Sequence, residues 1–387
     1  MHKATTSRRI YLGSELVSSV DRFPNPIEFD DDRSPSVPDL GMTARLARTA
    51  QRGVLDYICI DDTLAGNPPF SGRRRGGLDS IRLATRLATA TEGIRLVPAV
   101  RSSRVEPSSL IEALVTLEIA SEGRHGWELE LLDHPSPRTH SGELLAAIVQ
   151  DTWSDGEPRT KLAASARAMR RQRLGAHSGP GGPGGSAPAK DRPDGRPGKS
   201  TPLNDPGPAA GRRPATVMRA DTPQSAALAA DKAQVARISA TSLDDAAAKR
   251  QSLQSAAEDA GRAPGSIKVL VDMTVTLATD ESHAHARKDL AEEIIGQRLG
   301  GDHVRYVGTP AGLAEWCVEW TNQGACDGFT FLPTSLPVDL MLLVDGVTPA
   351  LAAGNHFPSA YGRSTGHSAA PRSIPVPRRR PATTPAR

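Results

Sequence analysis

An α/β chain that closes into one (β/α)8 TIM barrel is the fold this sequence predicts, and three observations predict it. Short apolar runs rich in β-branched residues recur, each followed by an amphipathic stretch with helical spacing; Leu55 to Ile60, Ile94 to Val100 and Gly126 to Leu131 are the first clear cases. Counting Ile10 to Leu12 there are eight such runs, the number that closes a barrel. Two Rossmann-like halves would normally carry a G-x-G-x-x-G turn between strand and helix, and none stands in that context. The 387 residues suffice for one large barrel.

The elements follow in order. Asp39 is placed to cap a helix over Leu40 to Arg52, with Leu40, Ala44, Ala47 and Ala50 on its apolar face and Gly53 as its left-handed stop, before strand Leu55 to Ile60. Ser80 to Glu92 reads as a second helix, burying Ile81, Ala84, Leu87 and Ala88 and stopping at Gly93, where strand Ile94 to Val100 begins. Pro107 opens a third helix, with Leu110, Leu114, Leu117 and Ala120 inward and Gly123 as terminator. Strand Gly126 to Leu131 and helix Ser141 to Trp153 complete the first half.

Beyond residue 214 the alternation resumes. Ala215 to Ala220 is a strand, Thr222 to Lys232 a helix, Val235 to Ser239 a strand, Leu243 to Ala260 a helix and Ile267 to Leu277 a long strand. Asp280 caps a helix to about Leu299, Pro310 starts another that ends before Gly324, and Gly328 to Leu332 is the last apolar strand. Residues 175–214 have the composition of a Gly/Pro-rich low-complexity insertion, which cannot bury enough surface to offset its ordering entropy. The expected organisation is a barrel over residues 1–361, interrupted by that insertion, and a disordered basic C-terminal tail over 362–387.

A formal net charge of +3 offers no field that would attract nucleic acid. The runs Arg73 to Arg75 and Arg378 to Arg380 read as solvated loop and tail charges. Cys59, Cys317 and Cys326 are odd in number and lack ligand spacing, which argues against a disulfide framework or a zinc site. Met1 to Thr6 lead into no apolar leader, and no run approaches the roughly 18 apolar residues of a membrane span. A cytoplasmic protein without membrane or nucleic-acid partners is the expectation.

In a parallel barrel, ligands bind at the carboxyl ends of the strands. Those ends collect Asp61, Asp62, Ser102, Ser103, Glu128, Glu130, Asp221, Thr222, Ser239 and Thr241. Carboxylates, hydroxyls and helix amino ends in one mouth suit a polar, phosphorylated or heteroaromatic ligand. Each residue alone has a plainer reading as a helix cap, and Thr222 before Pro223 is a natural one. His125 has no visible acid/base partner and reads as structural or solvent-facing. His283 and His285, two apart on a helix, have the wrong spacing for a shared metal, and no P-loop or nucleophile elbow is present.

Several collinear segments carry a resemblance: Ala47 to Tyr57, Ile60 to Leu64, Leu87 to Thr91, Thr116 to Trp127, Val307 to Pro310, Gly324 to Phe329 and Val344 to Leu351. In these the chain resembles the bacterial luciferase-like flavin monooxygenases, in the branch of the nitrilotriacetate, dibenzothiophene-sulfone and pristinamycin-type enzymes. The resemblance implies a monooxygenase that receives reduced FMN from a separate NAD(P)H:flavin reductase. With O2 as co-substrate it would oxygenate a small organic substrate through a flavin C4a-(hydro)peroxide, and the family precedent is a homo-oligomer. Carried over by position, Asp62 lies beside the flavin ring, Ser102 and Ser103 are the hydroxyl pair after the third strand, and Thr222 stands at the phosphate site.

This chain also departs from the family pattern. Gly126-Trp127-Glu128 replaces Gly-Trp-Asn and puts a carboxylate in the cofactor pocket. Ala220-Asp221-Thr222 replaces Gly-Ser-Ser, so Asp221 opposes a phosphate unless Arg219 or Arg101 compensates it, and Arg138 stands where the family has tyrosine. Two alternatives therefore accompany the monooxygenase reading: a deazaflavin-dependent oxidoreductase of the same superfamily, and a non-catalytic barrel that has lost flavin binding.

Overall fold

The computed structural model describes residues 8–19, 40–61, 78–102, 105–131, 142–154, 213–299, 301 and 303–361. Asp39, Asp62, Ser103, most of the expected insertion and the tail lie outside them. Among the described residues the strands are β1 (Tyr11–Glu15), β2 (Tyr57–Ile60), β3 (Arg95–Arg101), β4 (Gly126–Glu130), β5 (Ala215–Arg219), β6 (Val235–Ile238), β7 (Lys268–Leu277), β8 (Val304–Gly308) and β9 (Gly328–Pro333). β1 to β7 pair in sequence, all parallel, and β9 closes the ring by pairing with both β7 and β1. This is the expected eight-stranded closed barrel.

β8 is an addition that the sequence reading passes over. It pairs only with β7, from Met273↔Val304 to Leu277↔Gly308, whereas β6 pairs with the lower half of the same strand, Lys268 to Val271. Its pattern is only half-buried, with Arg305 exposed, so it lacks the continuous apolar signature of a barrel strand.

Outside the ring lie α1 (Leu40–Arg52), α2 (Asp79–Ala88), α3 (Pro107–Ser121), α4 (Gly142–Ser154), α5 (Pro223–Lys232), α6 (Leu243–Asp259), α7 (Glu281–Ile295) and α8 (Pro310–Asn322). A closing run of α9 (Val338–Leu342), a π-turn (Leu343–Val347) and α10 (Thr348–Ala353) follows. The caps follow local chemistry. Thr222 and Ser225 form a capping box on α5, Ser242 and Asp280 cap α6 and α7, and Pro107 and Pro310 stand at the first turns of α3 and α8. α7 stops at Gly296, with φ of 69°, sooner than the expected end near Leu299. After α1 the left-handed residue is Val54, with φ of 59°, and not Gly53; the missing side chain of Gly53 instead admits Val344, whose methyl lies 2.6 Å from where a Cβ would stand.

Strand alternation divides the interior. One face of the strands, including Leu12, Ile58, Leu96, Trp127, Met218, Ile238 and Val271, packs against the helices in the main core. The other face turns inward, where Tyr57, Cys59, Val97, Ala215, Val217, Val235 and Leu270 form a separate cluster on the barrel axis. The Tyr57 ring lies over Gly13 and its hydroxyl bonds Thr330 Oγ1 at 2.6 Å, so this side chain plugs the lower barrel from β2 to β9.

The amino-terminal face is tied by ions. Asp327 accepts from Arg8 (2.7 Å), Arg250 (2.9 Å) and the Val269 amide (3.0 Å), and Asp56 from Arg9 (2.6 Å) and the Leu12 amide (2.8 Å). Burial raises the Asp327 pKa, but its bonds to Arg250 and Val269 outweigh that and hold the carboxyl below its ordinary range. Among the described residues no helix is long and apolar enough to cross a membrane.

Closure depends on how nearly β9 approaches β1. A Cβ on Gly328 would stand 1.9 Å from the Tyr11 carbonyl oxygen, which is backbone and cannot swing aside. Gly328→Ala is therefore expected to open the seam and lower unfolding free energy by about 4 kcal/mol or more, measured by urea denaturation.

Candidate functional site

The upper barrel is closed by charge. Arg237 on β6 points inward and its side chain is only 1% exposed. Its Nε and Nη2 donate to Asp272 on β7 (2.8 and 2.9 Å), its Nη1 to both oxygens of Glu128 on β4 (3.0 and 2.9 Å), and its Nη2 to Glu15 on β1 (2.7 Å). Cys59 Sγ lies 3.4 Å from Nη1. Above this guanidinium Arg219, from the end of β5, meets the same three carboxylates: Glu15 at 3.0 Å, Glu128 at 3.5 Å and Asp272 at 3.7 Å. Its side chain is 31% exposed, so it forms the upper surface of the floor.

Burial alone would lower the Arg237 pKa, but Asp272, Glu128, Cys59 and Glu15 raise it well above the ordinary value. Arg237 and burial both depress Arg219, and Asp272, Glu15 and Glu128 overcome them, so it too is held above its usual range. Burial pushes the Cys59 thiol up, and the neighbouring carboxylates add to that against Arg237, so this sulfur stays protonated.

One residue pair further up each wall, Arg101 on β3 stands in register with Glu130 on β4 and donates from Nε to Oε2 at 2.9 Å. Their side chains are 23% and 28% exposed, which marks the open mouth. Burial, Glu128 and Asp61 raise the Glu130 pKa, and Arg101 only partly offsets them.

The expected site residues divide as follows. Glu128 is in the floor, buried and engaged with Arg237. Ser102 is buried just past β3. Asp221 and Thr222 are exposed at the end of β5: Asp221 accepts from the Ser239 amide at 2.8 Å, and Thr222 accepts from the Ser225 amide as the cap of α5. The compensation expected from Arg219 and Arg101 is directed to Glu15 and Glu130. Asp62 and Ser103 lie outside the described residues. His125 is buried near the opposite end of the barrel, 6.1 Å from the Trp153 ring, in keeping with its structural reading.

Sequence reasoning missed Glu15, Cys59, Arg219, Arg237 and Asp272 as a group. The signal was available: Arg237 and Asp272 each interrupt an apolar run at the inward period, and a charge in a strand buried on both faces has to find a partner.

A barrel with helices outside, a sealed floor and a polar mouth at the strand ends is the architecture of a ligand-transforming (β/α)8 enzyme. The family model described as luciferase-like monooxygenase matches residues 186–325. The chain is 22% identical, over a 419-residue alignment covering 86% of it and 91% of the relative, to N-acetyl-S-(2-succino)cysteine monooxygenase of Bacillus subtilis (strain 168). It is 23% identical to nitrilotriacetate monooxygenase component A of Aminobacter aminovorans, covering 84% and 88% of the two chains. The solved EDTA monooxygenase from Chelativorans sp. BNC1 superposes with a TM-score of 0.62 at 19% identity, over 92% of this chain and 97% of that one. Over residues 186–325, and in these relatives and this fold, the chain is similar to luciferase-like monooxygenases.

Removing Arg237 leaves three buried carboxylates with only the partly exposed Arg219 to neutralise them. Arg237→Met is expected to lower unfolding free energy by about 3–5 kcal/mol in chemical denaturation, with a smaller loss for Arg219→Met at the open edge. Glu130 gives a pH signature of definite sign. Its folded pKa is above the unfolded value of about 4.3, so the folded chain binds more proton in that window and wild-type stability falls as pH rises through it. Glu130→Gln should flatten this decline in melts recorded from pH 4 upward.

Proposed function

We propose that this protein is the oxygenase component of a two-component flavin monooxygenase, taking reduced FMN from a separate NAD(P)H:flavin reductase and acting with O2 on a small organic substrate. The observation that carries the reading is the half-open mouth, where Arg101, Glu130 and Arg219 stand over a floor sealed by Arg237. When bound, reduced flavin supplies two electrons, so that one atom of O2 enters the substrate and the other leaves as water.

The residues present fit the ring end of such a cofactor. A polar heteroaromatic ring needs donors and acceptors on one rim, and the half-buried guanidiniums and carboxyl supply both. The phosphate end is less well provided. Asp221 brings a carboxylate there, and the Thr222–Ser225 capping box occupies one of the α5 amides. The ring end is therefore assigned most of the affinity.

Each residue then has a role its chemistry supports. Glu15, Glu128 and Asp272 hold Arg219 at the floor, Arg237 and Tyr57 keep water from entering along the barrel axis, and Glu130 pairs with Arg101 at the mouth. By resemblance, Asp62 lies beside the ring, Ser102 and Ser103 are the hydroxyl pair after the third strand, and Thr222 stands at the phosphate site.

Anaerobic titration with reduced FMN, oxidised FMN and reduced deazaflavin, followed by fluorescence, tests the reading. Reduced FMN is expected to bind best, and Asp62→Ala to weaken it about tenfold, the scale of one charged hydrogen bond. Binding of deazaflavin alone would turn the reading to hydride transfer. Failure of all three would leave a barrel without flavin function.

A further inference from the structure

The amino-terminal pole of the barrel, at the far end from the mouth, gathers two cations and a hydroxyl around one aromatic ring. Tyr11 opens β1 two residues below Gly13 on the inward face, and it packs against the axial cluster that contains Tyr57. Lys268 opens β7 on the same face, two residues below Leu270 of that cluster. Gly328 of β9 stands between them in the sheet, in register with both Tyr11 and Leu270, and has no side chain to keep ring and ammonium apart. The Lys268 Nζ lies 5.7 Å from the centre of the Tyr11 ring, and the Arg9 guanidinium carbon 5.0 Å from it. All three residues are partly buried.

Their donors are not used up by the protein. Arg9 gives Nη2 to Asp56, and its buried Nε donates to nothing. Lys268 Nζ and the Tyr11 hydroxyl hydrogen-bond to no described residue. The carboxylate whose field reaches Lys268 is Asp327, and its oxygens already accept from Arg8, Arg250 and the Val269 amide. Open donors without an open acceptor suit a ligand that only accepts, and two positive charges at one ring favour a dianion over a monoanion. We infer that Arg9, Tyr11 and Lys268 form an oxyanion site at the amino-terminal pole, which takes the phosphoryl group of free phosphate or of a small phosphate ester. Since the donors come from β1 and β7 on either side of β9, the bound anion bridges the seam where the ring closes and stabilises the folded chain. This site is independent of the flavin reading. The plain alternative is a pair of cation–π contacts with no ligand.

Thermal melts of the full chain decide between them, with sodium phosphate or methyl phosphate exchanged for sodium chloride at constant ionic strength. Phosphate is expected to raise Tm with a saturating dependence on its concentration, because it binds the folded chain alone. A matching response to methyl phosphate assigns the site to phosphate esters as well, and a response to phosphate alone assigns it to the free ion. Lys268→Met should weaken the half-saturation point about tenfold, the scale of one charge-assisted hydrogen bond, and Tyr11→Phe, which keeps the ring, should weaken it less. Lys268→Arg keeps a cation and should retain most of the response, which guards against a variant that is merely misfolded. Thr222→Ala, at the mouth, should respond as wild type does. A Tm no higher in either phosphate than in chloride would overturn the assignment. So would a response that survives unchanged in Lys268→Met and Tyr11→Phe, or one that is lost in Thr222→Ala and kept in Lys268→Met, which would place the ion at the mouth.

Discussion

The burial of Arg237 constrains the rest of the molecule. Taking a guanidinium and three carboxylates out of water costs several kcal/mol per ion, and each contact near 4 Å between charge centres returns on the order of 4 kcal/mol at the effective dielectric of a protein. Gain and cost are close, so the cluster adds little net stability. Loss of any one partner is expensive, however, and that asymmetry fixes β1, β4, β6 and β7 relative to one another at one height of the barrel. Apolar side chains would seal the axis at least as well. What charge adds is a defined geometry for Arg219 above it.

The fold was largely legible because a barrel repeats its signals. Apolar β-branched runs at regular intervals, separated by helices with readable caps such as Thr222, Ser242 and Asp280, recover the eight strands of the ring. What failed was local. β8 is short and pairs on one side only, so Val304-Arg305-Tyr306-Val307 carries no run of buried residues. Gly53 looked like a helix stop because glycine usually is one, but the packing of Val344 decided that position. The site was less legible than the fold. Strand-end position picked out Glu128 and Glu130 together, yet it could not separate a carboxylate neutralised across the barrel from one that faces the mouth. That distinction depends on Arg237, about a hundred residues away in sequence and adjacent only after the ring has closed.

The floor and the mouth are also linked through their charge. In the floor three carboxylates face two guanidiniums in a region with little water to screen them. The next carboxyl up the wall feels that cluster: after burial, Glu128 is among the causes that raise Glu130. The substitution of a carboxylate for an amide at Glu128 therefore has a consequence two residues along the same strand. It balances Arg237 below, and it raises the proton affinity of Glu130 above.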